Sequence, residues 1–167
     1  FVRDEEVGGS NLPTPSLKLI LRLNVRIMLI FQKCFSSSRD KKTQLIADLK
    51  ENLHAVLAKN NLMLRISNFD LELILDESIT NAMEHGNNWD PTKKVCVKME
   101  LYDEELILFV EDEGEGFDYN SSLNGNSSPL EVRGRGIPIL KRLCDVQWLK
   151  GGTVLKIILP VSSRVYC

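Results

Sequence analysis

Four polar residues that can act in catalysis lie close together in the stretch LDESITNAMEHGNN: Glu77, Asn81, Glu84 and His85. At roughly 100° per residue of an α-helix, Asn81 and Glu84 fall within about 40° of Glu77. His85 follows Asn81 by four residues and lies on the same side of the helix. A plain stripe of solvent-facing polar residues would give the same pattern, so other segments must decide between the two interpretations.

The segment EDEGEGFD carries groups suited to binding a nucleotide base. Asp112 closes an apolar run, and a carboxylate at a strand end can accept a hydrogen bond from an exocyclic amine such as that of adenine. Gly114 and Gly116 permit close backbone approach and positive φ. The surrounding residues 100–118 are acidic and include no Lys or Arg, so they do not suit phosphate. An ordinary glycine turn would also explain this segment alone.

The segment EVRGRGIPIL has the character of an anion site. Gly134 and Gly136 open a predicted helix, whose free N–H groups favour an anion. Arg133 and Arg135 flank these glycines and can contact phosphate oxygens. Further along, Thr153 precedes the last strand and could hydrogen-bond near a bound base, although a β-branched residue is also common in strands.

Taken in order, these motifs resemble those of the GHKL ATPase superfamily over about residues 17–159. The run from Glu77 through Asn81 to His85-Gly86 is similar to its N box, Asp112-x-Gly114-x-Gly116 to its G1 box, and Gly134-Arg135-Gly136 to its G2 box; the segment 117–133 would be the ATP lid. The resemblance implies a Bergerat-type ATP-binding fold.

Within the superfamily, the compact length and the strings ESITNAMEHG and GRGIPILKRLCD are most similar to bacterial anti-sigma-factor serine/threonine kinases. The resemblance implies binding of ATP and Mg²⁺, phosphorylation of a STAS-domain anti-anti-sigma protein, sequestration of a sigma factor, and a homodimer. Asn81 would ligate Mg²⁺ through its amide oxygen, and Glu77 would take the proton from the attacking hydroxyl. The expected nucleotide site contains Asn81, Glu84, His85, Asp112, Gly114, Gly116, Arg133, Gly134, Arg135, Gly136 and Thr153.

Two other functions remain open on the sequence. The domain could be a non-catalytic ATP-sensing binding module, because its Asn- and Ser-rich lid contains no Lys. It could also be the ATP-binding domain of a larger, histidine-kinase-like signalling protein. His54 does not suit a phosphoacceptor histidine, since the acidic neighbour expected beside it is missing from LHAVLAKN.

Hydrophobic periodicity predicts the elements that position these residues. Strands are predicted at 17–27, 95–101, 106–110, 146–149 and 153–159, and helices at 41–59, from Asn68 to His85, and at 137–143. This order predicts an α+β fold, a two-layer sandwich with helices on one face of a mixed, mostly antiparallel sheet. We expect a loose lead-in at 1–16, one ATP-binding kinase domain at 17–160 and a tail at 161–167.

Composition is that of an ordinary globular domain. The chain has 167 residues, 43% of them hydrophobic and 26% charged, with a net charge of −2. Such a charge gives no global indication of nucleic-acid binding, and no apolar run is long enough to span a membrane. The four cysteines are widely spaced, so we expect reduced thiols and a cytoplasmic protein. The first residue is Phe, which suggests part of a larger protein.

Overall fold

The computed structural model describes residues 27–116 and 136–164. The strands are β1 (Met28–Ser36), β2 (Leu62–Leu64), β3 (Lys94–Leu101), β4 (Glu105–Asp112), β5 (Asp145–Leu149) and β6 (Val154–Ser163). The helices are α1 (Arg39–Lys59), α2 (Asn68–Thr80) and α3 (Gly136–Leu143). α2 continues into a π-helical turn (Asn81–Gly86), and a 3₁₀ turn (Lys150–Gly152) joins β5 to β6.

The six strands form one open sheet in the order β1-β3-β4-β6-β2, with β5 also paired to β6. Every pair among the described strands is antiparallel. The predicted α+β class and mostly antiparallel sheet are therefore confirmed.

The core lies between the helices and one face of this sheet. Leucines recur every four residues along α1 and are all buried: Leu45, Leu49, Leu53 and Leu57. Every second residue of β3 is buried in the same cluster: Val95, Val97, Met99 and Leu101. A periodicity of 3.6 in the helix and of 2 in the strand produces these two stripes, and their burial holds the helices on the sheet.

The locally patterned elements were predicted correctly. α1, the β3–β4 hairpin, α3 and the last two strands all occur within a few residues of their predicted bounds. β6 continues to Ser163, three residues beyond the predicted domain boundary. α2 begins at Asn68 as predicted. Its N-cap is Ser67, whose hydroxyl accepts a hydrogen bond from the backbone N–H of Asp70 at 3.0 Å.

Three elements were not predicted. β1 was missed, and a register shift between Leu29 and Phe31 interrupts its alternation. β2 was missed because three residues carry too little periodicity to read. The predicted α-helix to His85 is wrong in its last turn, which is π-helical. The strand predicted at 17–27 lies, apart from Ile27, outside the described residues.

The prediction of reduced cysteines is wrong for one pair. Cys34 on β1 faces Cys96 on β3 in the antiparallel register, and the two form a disulfide with Cα atoms 4.0 Å apart. They are 62 residues apart in sequence, so only the pairing of the two strands brings them together. Cys144 is a free, partly buried thiol. Burial, and then the neighbouring Asp145, raises the pKa of that thiol to about 11.

Within the described ranges, no helix combines the length and the hydropathy needed to cross a membrane.

Candidate active site

The end of α2 meets the start of α3, and this contact unites two of the predicted motifs. A β-carbon on Gly136 would lie 2.2 Å from Glu77 Oε2 and 3.3 Å from Asn81 Nδ2. A side chain at this position would have to displace the Glu77 carboxylate, so glycine allows the helix start to approach Glu77 this closely. Glu77 and Asn81 therefore share one small volume with the first residue of α3.

Glu77 is a partly buried carboxylate with other charges close by. Burial raises the pKa of Glu77 above its ordinary value, and the adjacent Asp76 carboxylate raises it further. Lys42 and His85 act in the opposite direction and lower it. Lys42 reaches from α1 to form an ion pair of 2.7 Å with Asp76, which ties α1 to α2 beside Glu77. A glutamate held this way is a better proton acceptor than a fully hydrated one.

Asn81 begins the π-helical turn and is buried, with 7% of its surface exposed. Its Nδ2 has no hydrogen-bond partner among the described residues. Buried polar groups are almost always paired, so an unpaired one needs an explanation. Isolated π-helical turns are frequent at functional sites, and a ligand that Asn81 could hold would account for its unpaired amide.

Asp112 ends β4 in a space that two glycines leave open. A β-carbon on Gly86 would lie 2.3 Å from Asp112 Cγ, and one on Gly114 would lie 2.2 Å from the Gly86 carbonyl oxygen. Asp112 Oδ1 accepts a hydrogen bond from Gly114 N at 2.9 Å. The end of the N box and the first half of the G1 box therefore pack directly on each other around one buried carboxylate.

The rest of the G1 box packs on the turn before β6. Gly116 has φ +70°, and a β-carbon there would lie 2.1 Å from the Gly151 carbonyl oxygen. Thr153 lies beside Asp112, because its carbonyl oxygen accepts from Asp112 N at 3.0 Å. Its hydroxyl donates to the Lys150 carbonyl oxygen at 3.0 Å. The contact of this hydroxyl with a base remains a prediction.

A cleft between α2 and the sheet runs from Asn81 to Asp112. It is lined by Ser78, Asn81, Ala82, Val110, Asp112, Trp148, Gly152 and Leu155. A larger cavity of about 410 Å³ lies against the opposite face of the sheet, beside the Cys34–Cys96 disulfide. Asn81 and Asp112 line the smaller cleft, which has a volume of about 10 Å³, and they do not line the larger cavity, so the smaller cleft is the candidate site. Glu77 lines neither space and lies one helical turn before Asn81.

The remaining predicted residues divide into two groups. His85 is partly buried and close enough to affect Glu77, whereas Glu84 is exposed to solvent. The angles expected for both assumed a regular α-helix, which ends at Thr80. Arg133, Gly134 and Arg135, together with the predicted lid at 117–133, lie outside the described residues.

Two residues at the site, Asn87 and Lys42, were not singled out from sequence. Gly86 was included in the resemblance to the N box, but its packing against Asp112 was not predicted. A glycine at a helix end often marks close packing, and this was a usable signal. Nothing local in sequence marks Lys42.

An open antiparallel sheet covered by helices, with this cleft at their junction, is consistent with the fold of the ATPase domains that the motifs resemble. The profile of the histidine kinase-like ATPase domain family matches residues 39–159, which is most of the chain. This chain belongs to that family.

Relatives of similar sequence agree with the anti-sigma branch. The anti-sigma F factor of Shouchella clausii is 34% identical over 80 residues, which cover 46% of this chain and 55% of that protein. The serine-protein kinase RsbW of Bacillus licheniformis is 32% identical over 84 residues, which cover 46% of this chain and 52% of that protein. RsbW of Bacillus subtilis is 31% identical over 84 residues, with the same coverage. The chain spans about half the length of these curated relatives.

Proposed function

We propose that this domain binds Mg-ATP and transfers the γ-phosphate to a serine or threonine of a STAS-fold anti-anti-sigma protein. The observation that carries the proposal is the meeting of Glu77 and Asn81 at Gly136. This contact brings a candidate base, Glu77, and a candidate metal ligand, Asn81, to the start of a helix, where phosphate binds favourably. The names of the relatives, an anti-sigma factor and a serine-protein kinase, support the same reaction class.

In this proposal Asp112 recognises adenine. Its carboxylate accepts a hydrogen bond from the exocyclic amine, while Gly114 and Gly116 let the backbone approach the base. The burial of Asp112, with 8% of its surface exposed, supports this role. A hydrogen bond to a buried charged group discriminates strongly against a base that lacks the donor.

Asn81 fits a ligand of Mg²⁺. Its side chain is buried and lines the cleft, and an amide oxygen is among the ligands that Mg²⁺ accepts. The unpaired Nδ2 is a hydrogen-bond donor and would suit an acceptor such as a phosphate oxygen. The described residues contain no cluster of three or more His, Cys, Asp or Glu that could hold a metal. Mg²⁺ in nucleotide sites is usually held by one or two protein groups together with substrate phosphates and water, and Asn81 suits such a site. When bound, the ion supplies charge compensation for the triphosphate.

Glu77 is the proposed general base. It takes the proton of the substrate hydroxyl as that oxygen bonds to the γ-phosphorus, and the bond to the β–γ bridging oxygen breaks to release ADP. Burial favours this role, because it raises the pKa of Glu77 and strengthens the ionised form as a proton acceptor. Arg133 and Arg135 would offset charge on the transferred group.

The proposed partners follow from the anti-sigma branch. Besides the STAS protein, we propose that the domain sequesters a sigma factor, acts as a homodimer and does so in the bacterial cytoplasm. The Cys34–Cys96 disulfide is more typical of oxidising compartments. Thiol alkylation in intact cells, followed by mass spectrometry, tests the location and the disulfide together.

The deciding experiment is transfer of labelled γ-phosphate from Mg-ATP to STAS proteins of the source organism. The unaltered chain should label one of them, and Glu77→Ala should bind ATP normally but transfer no label. Glu51→Ala is the matched control, because Glu51 is an exposed carboxylate on α1 that does not line the cleft. If Glu77→Ala transfers phosphate at the normal rate, the proposed catalytic role is wrong.

A second candidate is a non-catalytic module whose affinity for a partner depends on bound ATP. The absence of Lys from the sequence 117–133 favours it, since a lid with few cations holds the γ-phosphate less firmly. Nucleotide-dependent capture of a sigma factor, without phosphate transfer to any STAS protein, would support this candidate over the first.

A further inference from the structure

Asn87, directly after the π-helical turn, has a fully buried side chain, with 0% of its surface exposed. It belongs to none of the motifs that the proposed function uses. Its backbone N–H donates to the Ala82 carbonyl oxygen at 2.9 Å, which helps to close the π-helical turn. Its side chain contacts three other segments, which lie 7, 26 and 50 residues away in sequence.

All three contacts of that side chain are good hydrogen bonds. Nδ2 donates to Ser37 Oγ at 2.7 Å and to the Lys94 carbonyl oxygen at 2.9 Å. Oδ1 accepts from the backbone N–H of Glu113 at 2.8 Å. The backbone partners fix the orientation of the amide, because a carbonyl needs the NH₂ end and an N–H needs the oxygen. Asp in this position could not donate, and Ala could make none of these bonds.

The hydrogen bond from Glu113 to Asn87 lies next to Asp112, which lines the cleft. Glu113 lies between Asp112 and Gly114, and Asn87 follows Gly86, the residue that leaves room for the Asp112 carboxylate. One amide therefore holds the start of the G1 box over the end of the N box. Glu113 is held a second time, since its Oε2 accepts from Lys94 N at 2.6 Å.

We propose that Asn87 is a positioning residue for base recognition, acting through Glu113 to set the position of the Asp112 carboxylate. This inference rests on the proposed function, in which Asp112 accepts from the adenine amine. It predicts a specific defect. Loss of Asn87 should weaken ATP binding and reduce the ratio of ATP to GTP affinity. The rate of phosphate transfer at saturating ATP should change much less, because it depends on Glu77.

The test measures ATP and GTP affinity by isothermal titration calorimetry, and transfer at saturating ATP, for the full chain and for Asn87→Ala. We expect the variant to bind ATP about tenfold more weakly, because a displaced Asp112 carboxylate would weaken one hydrogen bond to the base. The ratio of ATP to GTP affinity should fall by a similar factor. Hydrogen exchange should also show faster exchange of the Glu113 amide.

A matched control separates positioning from general loss of stability. Val161→Ala removes buried apolar volume at the far end of β6, where that strand pairs with β2. It should lower the urea midpoint yet leave the ATP/GTP ratio unchanged. If Asn87→Ala does not fold, Asn87→Ser, which retains a small polar side chain, takes its place in the same measurements.

The possible outcomes are distinct. If the unaltered chain binds no adenine nucleotide, the proposed function fails and this inference fails with it. If the unaltered chain binds ATP but the Asn87 variant keeps the same affinity and the same ATP/GTP ratio, the inference alone is overturned. Equal loss of the ATP/GTP ratio in Val161→Ala would also overturn it, because the effect would then be one of stability.

Discussion

Gly136 lies against the carboxylate of Glu77, so closely that a β-carbon would stand 2.2 Å from Oε2. The glycine is the first residue of α3, and the glutamate is one turn from the end of α2. The contact joins two helices that are separated by the hairpin and the predicted lid. It also ties the position of the candidate base to the position of the helix start that would receive phosphate.

This contact predicts that Gly136→Ala impairs transfer more than folding. In a helix interior alanine is favoured over glycine by about 1 kcal/mol, and at the first residue of α3 this gain is smaller. The methyl group of alanine must also displace the Glu77 carboxylate. A displacement of about 1 Å can reduce a rate by roughly a hundredfold. Steady-state phosphate transfer should show this loss. Arg142→Ala, an exposed change on the same helix, should have no such effect, and normal transfer by Gly136→Ala would contradict the prediction.

The raised pKa of Glu77 predicts the pH dependence of transfer. Only the ionised carboxylate can accept a proton, so kcat should fall as pH decreases through the raised pKa, with a midpoint above that of free glutamate, about 4.3. Asp76→Asn removes the neighbouring negative charge that raises this pKa. The midpoint in that variant should move to lower pH, as a pH–rate profile would show. A shift upward, or an unchanged profile, would argue that another group controls the rate.

The proposed role of the Asn81 amide oxygen as a Mg²⁺ ligand predicts that ATP binding depends on Mg²⁺ through this residue. In the unaltered chain, chelation with EDTA should weaken ATP binding measured by calorimetry. In Asn81→Ala, binding with Mg²⁺ should fall to nearly the level seen with EDTA. Asn52→Ala, which removes an exposed amide bonded only to the Asp48 carbonyl oxygen, is the control. A full response to Mg²⁺ in Asn81→Ala would exclude this residue as the ligand.

The disulfide predicts a stability that depends on reductant. On the chain-entropy account, closing a loop of 62 residues stabilises the fold by about 4 kcal/mol. The midpoint of urea unfolding should therefore move to a lower urea concentration when a reductant is added. The double variant Cys34→Ser/Cys96→Ser should be less stable and insensitive to reductant, whereas Cys144→Ser should still respond. Alkylation and mass spectrometry of the untreated protein check the disulfide itself. The prediction is wrong if Cys34 and Cys96 are both found as free thiols.

Much of the fold was predictable because local patterns specify it. The four-residue spacing of leucines in α1 and the alternation in β3 are each readable within one element, since a helix and a strand present one apolar face at different periods. The order of the three motifs along the chain was equally readable, and it led to the family that the profile match confirms.

Sequence by itself determined which residue types are available at the site: a carboxylate at Glu77, an amide at Asn81, a carboxylate at Asp112, and glycines beside them. Only the tertiary structure decided how they meet. Asn87 contacts Ser37 across 50 residues and Glu113 across 26, and Cys34 pairs with Cys96 through strand register. Such contacts leave no periodic trace in sequence, because packing between elements, and not the propensity of any one of them, brings the partners together.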